Sequence, residues 1–95
     1  MDVFNFHATT IAGQNVVLMT APADKKYYIK GMSISGQTNG GSIKIKFSTG
    51  LEMNLTISPA NTVGMDDERC LPAGESVTIF SNTDGIFVDA NGLIV

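Results

Sequence analysis

The segment SIKIKFSTGLEMNLTI, positions 42–57, constrains the fold more than any other part of the chain: apolar and polar residues alternate through it and stay in phase across a glycine. Ile43, Ile45, Phe47, Leu51, Met53, Leu55 and Ile57 take one side of an extended backbone, while Lys44, Lys46, Glu52, Asn54 and Thr56 take the other. A period of two is that of a half-buried strand. The two strands meet at Ser48-Thr49-Gly50. A three-residue loop there, with Gly50 in a left-handed conformation, sets Phe47 beside Leu51, Lys46 opposite Glu52 and Ile45 opposite Met53. A corner at Gly50 would instead carry the chain from one sheet to another. Both arrangements bury the same side chains.

Shorter strand signals recur at 3–7, 15–20, 26–35, 76–81, 86–89 and 93–95, with turn clusters between them such as Ala12-Gly13-Gln14, Pro72-Ala73-Gly74-Glu75, Asn82-Thr83-Asp84-Gly85 and Asp89-Ala90-Asn91-Gly92. Helical spacing is hard to find, and there is no internal repeat or linker. The pattern predicts an all-β fold: one domain spanning 1–95, a two-layer antiparallel β-sandwich of about eight short strands, jelly-roll-like. Residues 1–20 read as an N-terminal arm or edge strand and 21–95 as the core. Met32, Ile34, Ile43, Ile45, Phe47, Met53, Leu55, Val77 and Ile79 are its expected interior.

Four runs break the alternation. Val16-Val17-Leu18-Met19, Tyr27-Tyr28-Ile29, Ile86-Phe87-Val88 and Leu93-Ile94-Val95 are apolar at consecutive positions, so as strands they offer apolar side chains to both faces. A chain of 95 residues buries only roughly 60 to 70% of its unfolded surface and has no third layer to cover the second face. Either strand ends and curvature hide these side chains locally, or another subunit covers them. Val17, Ile29, Phe87 and Ile94 are the expected subunit-interface residues. Phe4 and Phe6 project to one side of an extended N-terminal segment, with His7 on the other. They dock on a partner surface if that segment is a loose arm, and belong to the core if it is the first strand.

With 43% hydrophobic and 16% charged residues the chain lies outside the range of disordered sequences. Its net charge of −3 and six basic residues, spread out apart from Lys25-Lys26, argue against nucleic acid, which needs a basic stripe. The N-terminus has neither the basic flank nor the apolar stretch of a secretion signal, and no apolar run approaches membrane-spanning length, so a cytosolic origin without membrane contact is expected. Lone Cys70 excludes an internal disulfide. Asn54-Leu55-Thr56 matches a glycosylation pattern but lies on an expected strand.

The inventory for catalysis is poor. His7 is the single histidine, and Cys70, distant in sequence, has no supporting motif with it. Asp66-Asp67-Glu68-Arg69 lacks the spacing of a calcium loop and reads as a solvated loop, with its affinity for a cation or partner left open. Tyr27 and Tyr28 offer at most a small stacking platform. The expectation is a non-enzyme with no cofactor, metal or catalytic residue.

Several stretches together resemble the small jelly-roll virion proteins of tailed bacteriophages: KKYYIKGMSIS at 25–35, GSIKIKFSTG at 41–50, LPAGESV at 71–77 and the closing strand from Ile86. The resemblance runs over positions 21–95 and rests on pattern and turn order. Asp66-Asp67-Glu68-Arg69 stands where relatives often carry an aromatic or proline-containing segment. The resemblance implies a head decoration (cement) protein, a homotrimer on the capsid surface that binds the major capsid protein and is made in the host cytoplasm. Phe4, Phe6 and His7 would be its capsid-docking residues. A tail or fibre module that binds a host-surface glycan is the alternative.

Overall fold

The computed structural model describes residues 2–65 and 68–95. Among the described residues nine strands make two antiparallel sheets: β1 (Asp2–Thr9), β2 (Gln14–Thr20), β3 (Tyr27–Gly36), β4 (Gly41–Phe47), β5 (Glu52–Ile57), β6 (Asn61–Met65), β7 (Arg69–Leu71), β8 (Ser76–Ser81) and β9 (Ile86–Ile94). The first sheet has the order β1-β9-β3-β6, with β7 pairing on β3 beyond the end of β6, and the second has the order β2-β8-β4-β5. β4 and β5 form a hairpin within a sheet, and β6 and β7 share one edge; the other connections between these strands cross between the layers. With β6 and β7 taken as one interrupted strand, this is the winding of a jelly roll.

The hairpin follows local logic. Ile45 pairs with Met53 and Lys46 with Glu52. The Phe47 N–H donates to the Leu51 carbonyl at 2.8 Å and the Gly50 N–H to the Phe47 carbonyl at 2.9 Å, so Ser48-Thr49-Gly50 is a three-residue loop. Gly50 sits at φ +114°, which a side chain would strain. The corner alternative is thereby excluded.

Inward-facing residues of both sheets make one core. Ile34, Ile45, Leu71, Val77, Ile79, Ile86, Val88 and Ala90 are fully buried, joined by Met32, Ile43 and Phe47, while Met53 and Leu55 on the edge strand β5 are half-buried against them. Of the two readings of the N-terminal segment, arm or edge strand, residues 2–20 take the second: β1 and β2 each form an edge of a sheet, β1 pairing with β9 along its whole length and β2 with β8, and Phe4, Leu18 and Met19 enter the core. Thr10 is buried between them, and its hydroxyl donates to the Thr83 carbonyl at 2.7 Å while accepting the Ile86 N–H at 3.0 Å. It ties the turn after β1 to the turn before β9.

The strand count departs from the expected eight through two opposite changes, one strand fewer and two more. Asp89-Ala90-Asn91-Gly92 is not a turn but the middle of β9, so the candidate strands at 86–89 and 93–95 are one. Gly92 is there for space, since a Cβ at that position would lie 1.9 Å from the Tyr28 carbonyl oxygen and 2.9 Å from two ring carbons of Phe4. Conversely, β6 and β7 occupy a stretch with few apolar residues, at an edge where one neighbour suffices.

Candidate interaction surface

The side chains that the core leaves out define two outer faces. On the first sheet the registers align them in rows across the strands. Val3, Leu93, Tyr28 and Cys70 stand side by side in one row, and Asn5 and Asn91 in the next. His7, Asp89 and Ser33 follow, then Thr9, Phe87, Ser35 and Thr62. One end of the face is therefore apolar, with Val3 75% exposed. Its middle is amide, and its far end carries hydroxyls beside the stacked His7 and Phe87 rings, whose centroids lie 5.6 Å apart.

A bulge adds charge to the apolar end. The β3–β9 register shifts between Ile29 and Gly31, which leaves Lys30 as the extra residue, exposed like Tyr28's hydroxyl on the solvent side. The Tyr28 hydroxyl donates to Glu68 Oε2 at 3.0 Å, and Lys30 Nζ lies 3.2 Å from Glu68 Oε1 and 5.7 Å from the Tyr28 ring centroid. Hydrogen bonds from Lys30 and then Tyr28 hold the Glu68 carboxyl below its ordinary range. The same bond raises the Tyr28 phenol, because losing the proton would place a second negative charge against Glu68. Beside this cluster a shallow depression of about 700 Å³ is lined by Val3, Asn5, Lys30, Asn91 and Leu93.

The outer face of the second sheet is more polar. Lys46 stands opposite Glu52 and Lys44 opposite Asn54, with Phe80 half-buried beside Lys44. Val17 stands on this face too, 60% exposed.

The sequence-predicted residues divide between core and surface. Phe4 is buried, with its ring 4.8 Å from that of Tyr27, and Phe6 is half-buried on the same inner side, 5.5 Å from Phe4. Of the three expected docking residues, only His7 faces outward. Among the expected interface residues, Val17 and Phe87 lie on outer faces. Ile29 does not: it is 1% exposed and packed in the core, because the outward position in its run belongs to Tyr28. Ile94 is half-buried on the inner side. Asp66 and Asp67 lie outside the described residues; Glu68 is engaged by Tyr28 and Lys30. Among the described residues no three His, Cys, Asp or Glu side chains group to hold a metal ion. Sequence reasoning missed Val3, Asn5, Lys30, Asn91 and Leu93 as surface partners. The period-two pattern through Val3, Asn5 and His7 was the available signal for β1, but the bulge that presents Lys30 has none.

No family model matches the chain, and no curated protein matches it. Among solved structures, it is similar to a subunit from Bacillus endospore appendages, described as a novel family of disulfide-linked pili. The TM-score is 0.54 at 13% identity, over 96% of this chain and 84% of that one. At that identity the likeness speaks for the shared β-sandwich fold.

Proposed function

We propose that this chain is a structural subunit of a larger particle, working through surface contact rather than chemistry, and that its specific form is a decoration protein on a phage capsid. The observation that carries the proposal is the row of Val3, Leu93 and Tyr28, apolar side chains held on the outer face of a sheet whose inner face is already packed. Leaving such a row in water has a cost that docking removes, roughly 25 cal/mol per Å² of apolar surface covered. A rigid sandwich presents the row without ordering a loop, and many copies on a shell reinforce one another through high effective concentration. The pilus subunit lends support from outside: the same kind of sandwich serves there as a building block of an assembled structure.

The test is binding to purified shells. Val3→Asp with Leu93→Asp should leave the melting temperature close to wild type and abolish sedimentation with capsids, and the wild-type protein should be present in hundreds of copies per particle. Wild-type occupancy by the double variant overturns the proposal.

The depression beside Lys30 favours a second reading, the glycan-binding tail or fibre module. Two amides, an ammonium and the apolar floor of Val3 and Leu93 suit a sugar ring. A handful of copies per particle, with binding to host-surface glycan lost in Asn5→Ala and Asn91→Ala, would select it.

A further inference from the structure

We infer that β1 is a joint between two copies of this chain, pairing antiparallel with its own symmetry mate so that the first sheets of both run on as one. The inference goes beyond the shell-binding proposal and does not depend on it. It begins with the sheet edges. β2 is broken by a register shift between Val17 and Met19, β5 is shorter than β1 at 6 residues and opens on Glu52, and the far edge of the first sheet is divided between β6 and β7. Bulges, charges and short strands are the devices that keep an edge from pairing. β1 is neither bulged nor short, and its one charged residue, Asp2, stands at its very start. It runs for 8 residues in unbroken register with β9, without proline, lysine or arginine, and among the described residues no strand pairs with its other side.

The direction of its free main-chain groups follows from Thr10. The Thr10 N–H donates to the Ile86 carbonyl at 2.9 Å, and the Thr10 carbonyl accepts from the Gly85 N–H at 3.0 Å, so both groups of Thr10 point toward the β9 side. By alternation Phe4, Phe6 and Ala8 do the same. Val3, Asn5, His7 and Thr9 therefore turn their N–H and C=O groups to the open edge. They are also the residues whose side chains lie on the outer face.

One two-fold register satisfies all four. Val3 opposite the second copy's Thr9, and Asn5 opposite the second copy's His7, let each pair exchange both main-chain hydrogen bonds, and symmetry repeats the arrangement. Side chains agree with this register. On the outer face an amide meets an imidazole twice. On the inner face Phe6 meets the second copy's Phe6 across the axis, and Phe4 meets Ala8. Phe6 faces inward yet stays half-buried because the sheet stops beside it, and the symmetry mate supplies the missing neighbour. A second copy is thus the occupant that fits. The joint is isologous and closes on itself, so it makes an even-numbered assembly, where the phage resemblance implies a trimer.

The experiment is sedimentation equilibrium of the intact chain at micromolar concentration, with Asn5→Pro and Asn5→Lys. Proline at this position removes an N–H that faces the open edge and leaves the β9 ladder intact, and lysine is an edge blocker should the proline variant not fold. Wild type should sediment as a dimer of 10.1 kDa chains. The folded variants should be monomeric, their association weakened at least about tenfold. A wild-type monomer or trimer overturns the inference, as does a dimer that both variants leave intact. Shell binding fails or survives separately, through Val3 and Leu93.

Discussion

Phe4 and Val3 are chain neighbours with opposite roles. The Phe4 ring is 7% exposed and stacked on Tyr27, whereas Val3 is 75% exposed. Phe4→Ala should cost about 3 to 5 kcal/mol of unfolding free energy, and Val3→Ala should stay within about 0.5 kcal/mol of wild type. Denaturant titration of both variants decides between a first strand and a loose arm: an unchanged midpoint for Phe4→Ala would restore the arm. The cluster of Tyr28, Lys30 and Glu68 predicts a pH dependence. Glu68 binds its proton more weakly in the folded chain than its ordinary value of 4.5, so its stabilising contribution is present above that pH and fades as the pH falls through the lowered value. For Tyr28 the raised phenol acts at the other end, with its contribution present below 10.0 and lost as the pH rises through the raised value. Glu68→Gln should therefore differ most from wild type between these limits, converge with it in acid, and move the Tyr28 titration down toward 10.0. NMR of the Tyr28 ring against pH measures this directly, and an unmoved midpoint would remove Glu68 as the cause.

At the scale of the element, strand bulges decide what a run of apolar residues does. Val16-Val17-Leu18-Met19 reads as apolar on both faces, but the shift in register against β8 turns Leu18 and Met19 both inward, at 5% and 3% exposure, and leaves Val17 alone outside. Leu18→Ala should cost about 2 to 5 kcal/mol and Val17→Thr less than about 0.5 kcal/mol; thermal unfolding of the pair checks it, and comparable losses would place the bulge elsewhere. This is also where the sequence stops being legible. The β4–β5 hairpin could be read down to its residue pairs because strict alternation and one glycine leave a single consistent register. A bulge leaves no such mark, since one additional residue in a run of valine and leucine looks like any other. Gly92 misleads for a related reason: Asn91-Gly92 is the dipeptide of a turn, and only the approach of the Tyr28 carbonyl and the Phe4 ring shows that the glycine serves packing within β9. β6 escaped because a strand at an edge needs little apolar content. The candidate surface was legible only in part. Alternation gave the outward side of His7, while the row of Val3, Leu93 and Tyr28 exists through pairings between strands far apart in sequence.

For the whole molecule the decisive strand is the last. β9 lies between β1 and β3, pairs with both along its length, and contributes Ile86, Val88 and Ala90, all 0% exposed. Neither β1 nor β3 pairs with the other, so the first sheet has no continuity until β9 is in place. Such closure between distant segments must meet the entropy of a long loop before its contacts form, which puts jelly rolls among the slow folders, on the order of milliseconds to seconds. A chain ending at Gly85 should therefore show no cooperative thermal transition, even though it retains every strand of the second sheet. Loss of β9 takes away the backbone partners of two strands as well as the buried apolar side chains, far more than the roughly 5 to 15 kcal/mol by which a domain is stable. The same geometry predicts rescue: a peptide of residues 86–95 supplied in excess should insert between β1 and β3 as a donated strand and restore a cooperative transition whose midpoint rises with peptide concentration. If the truncated chain unfolds cooperatively without the peptide, the second sheet is a folding unit on its own and β9 is not what closes the sandwich.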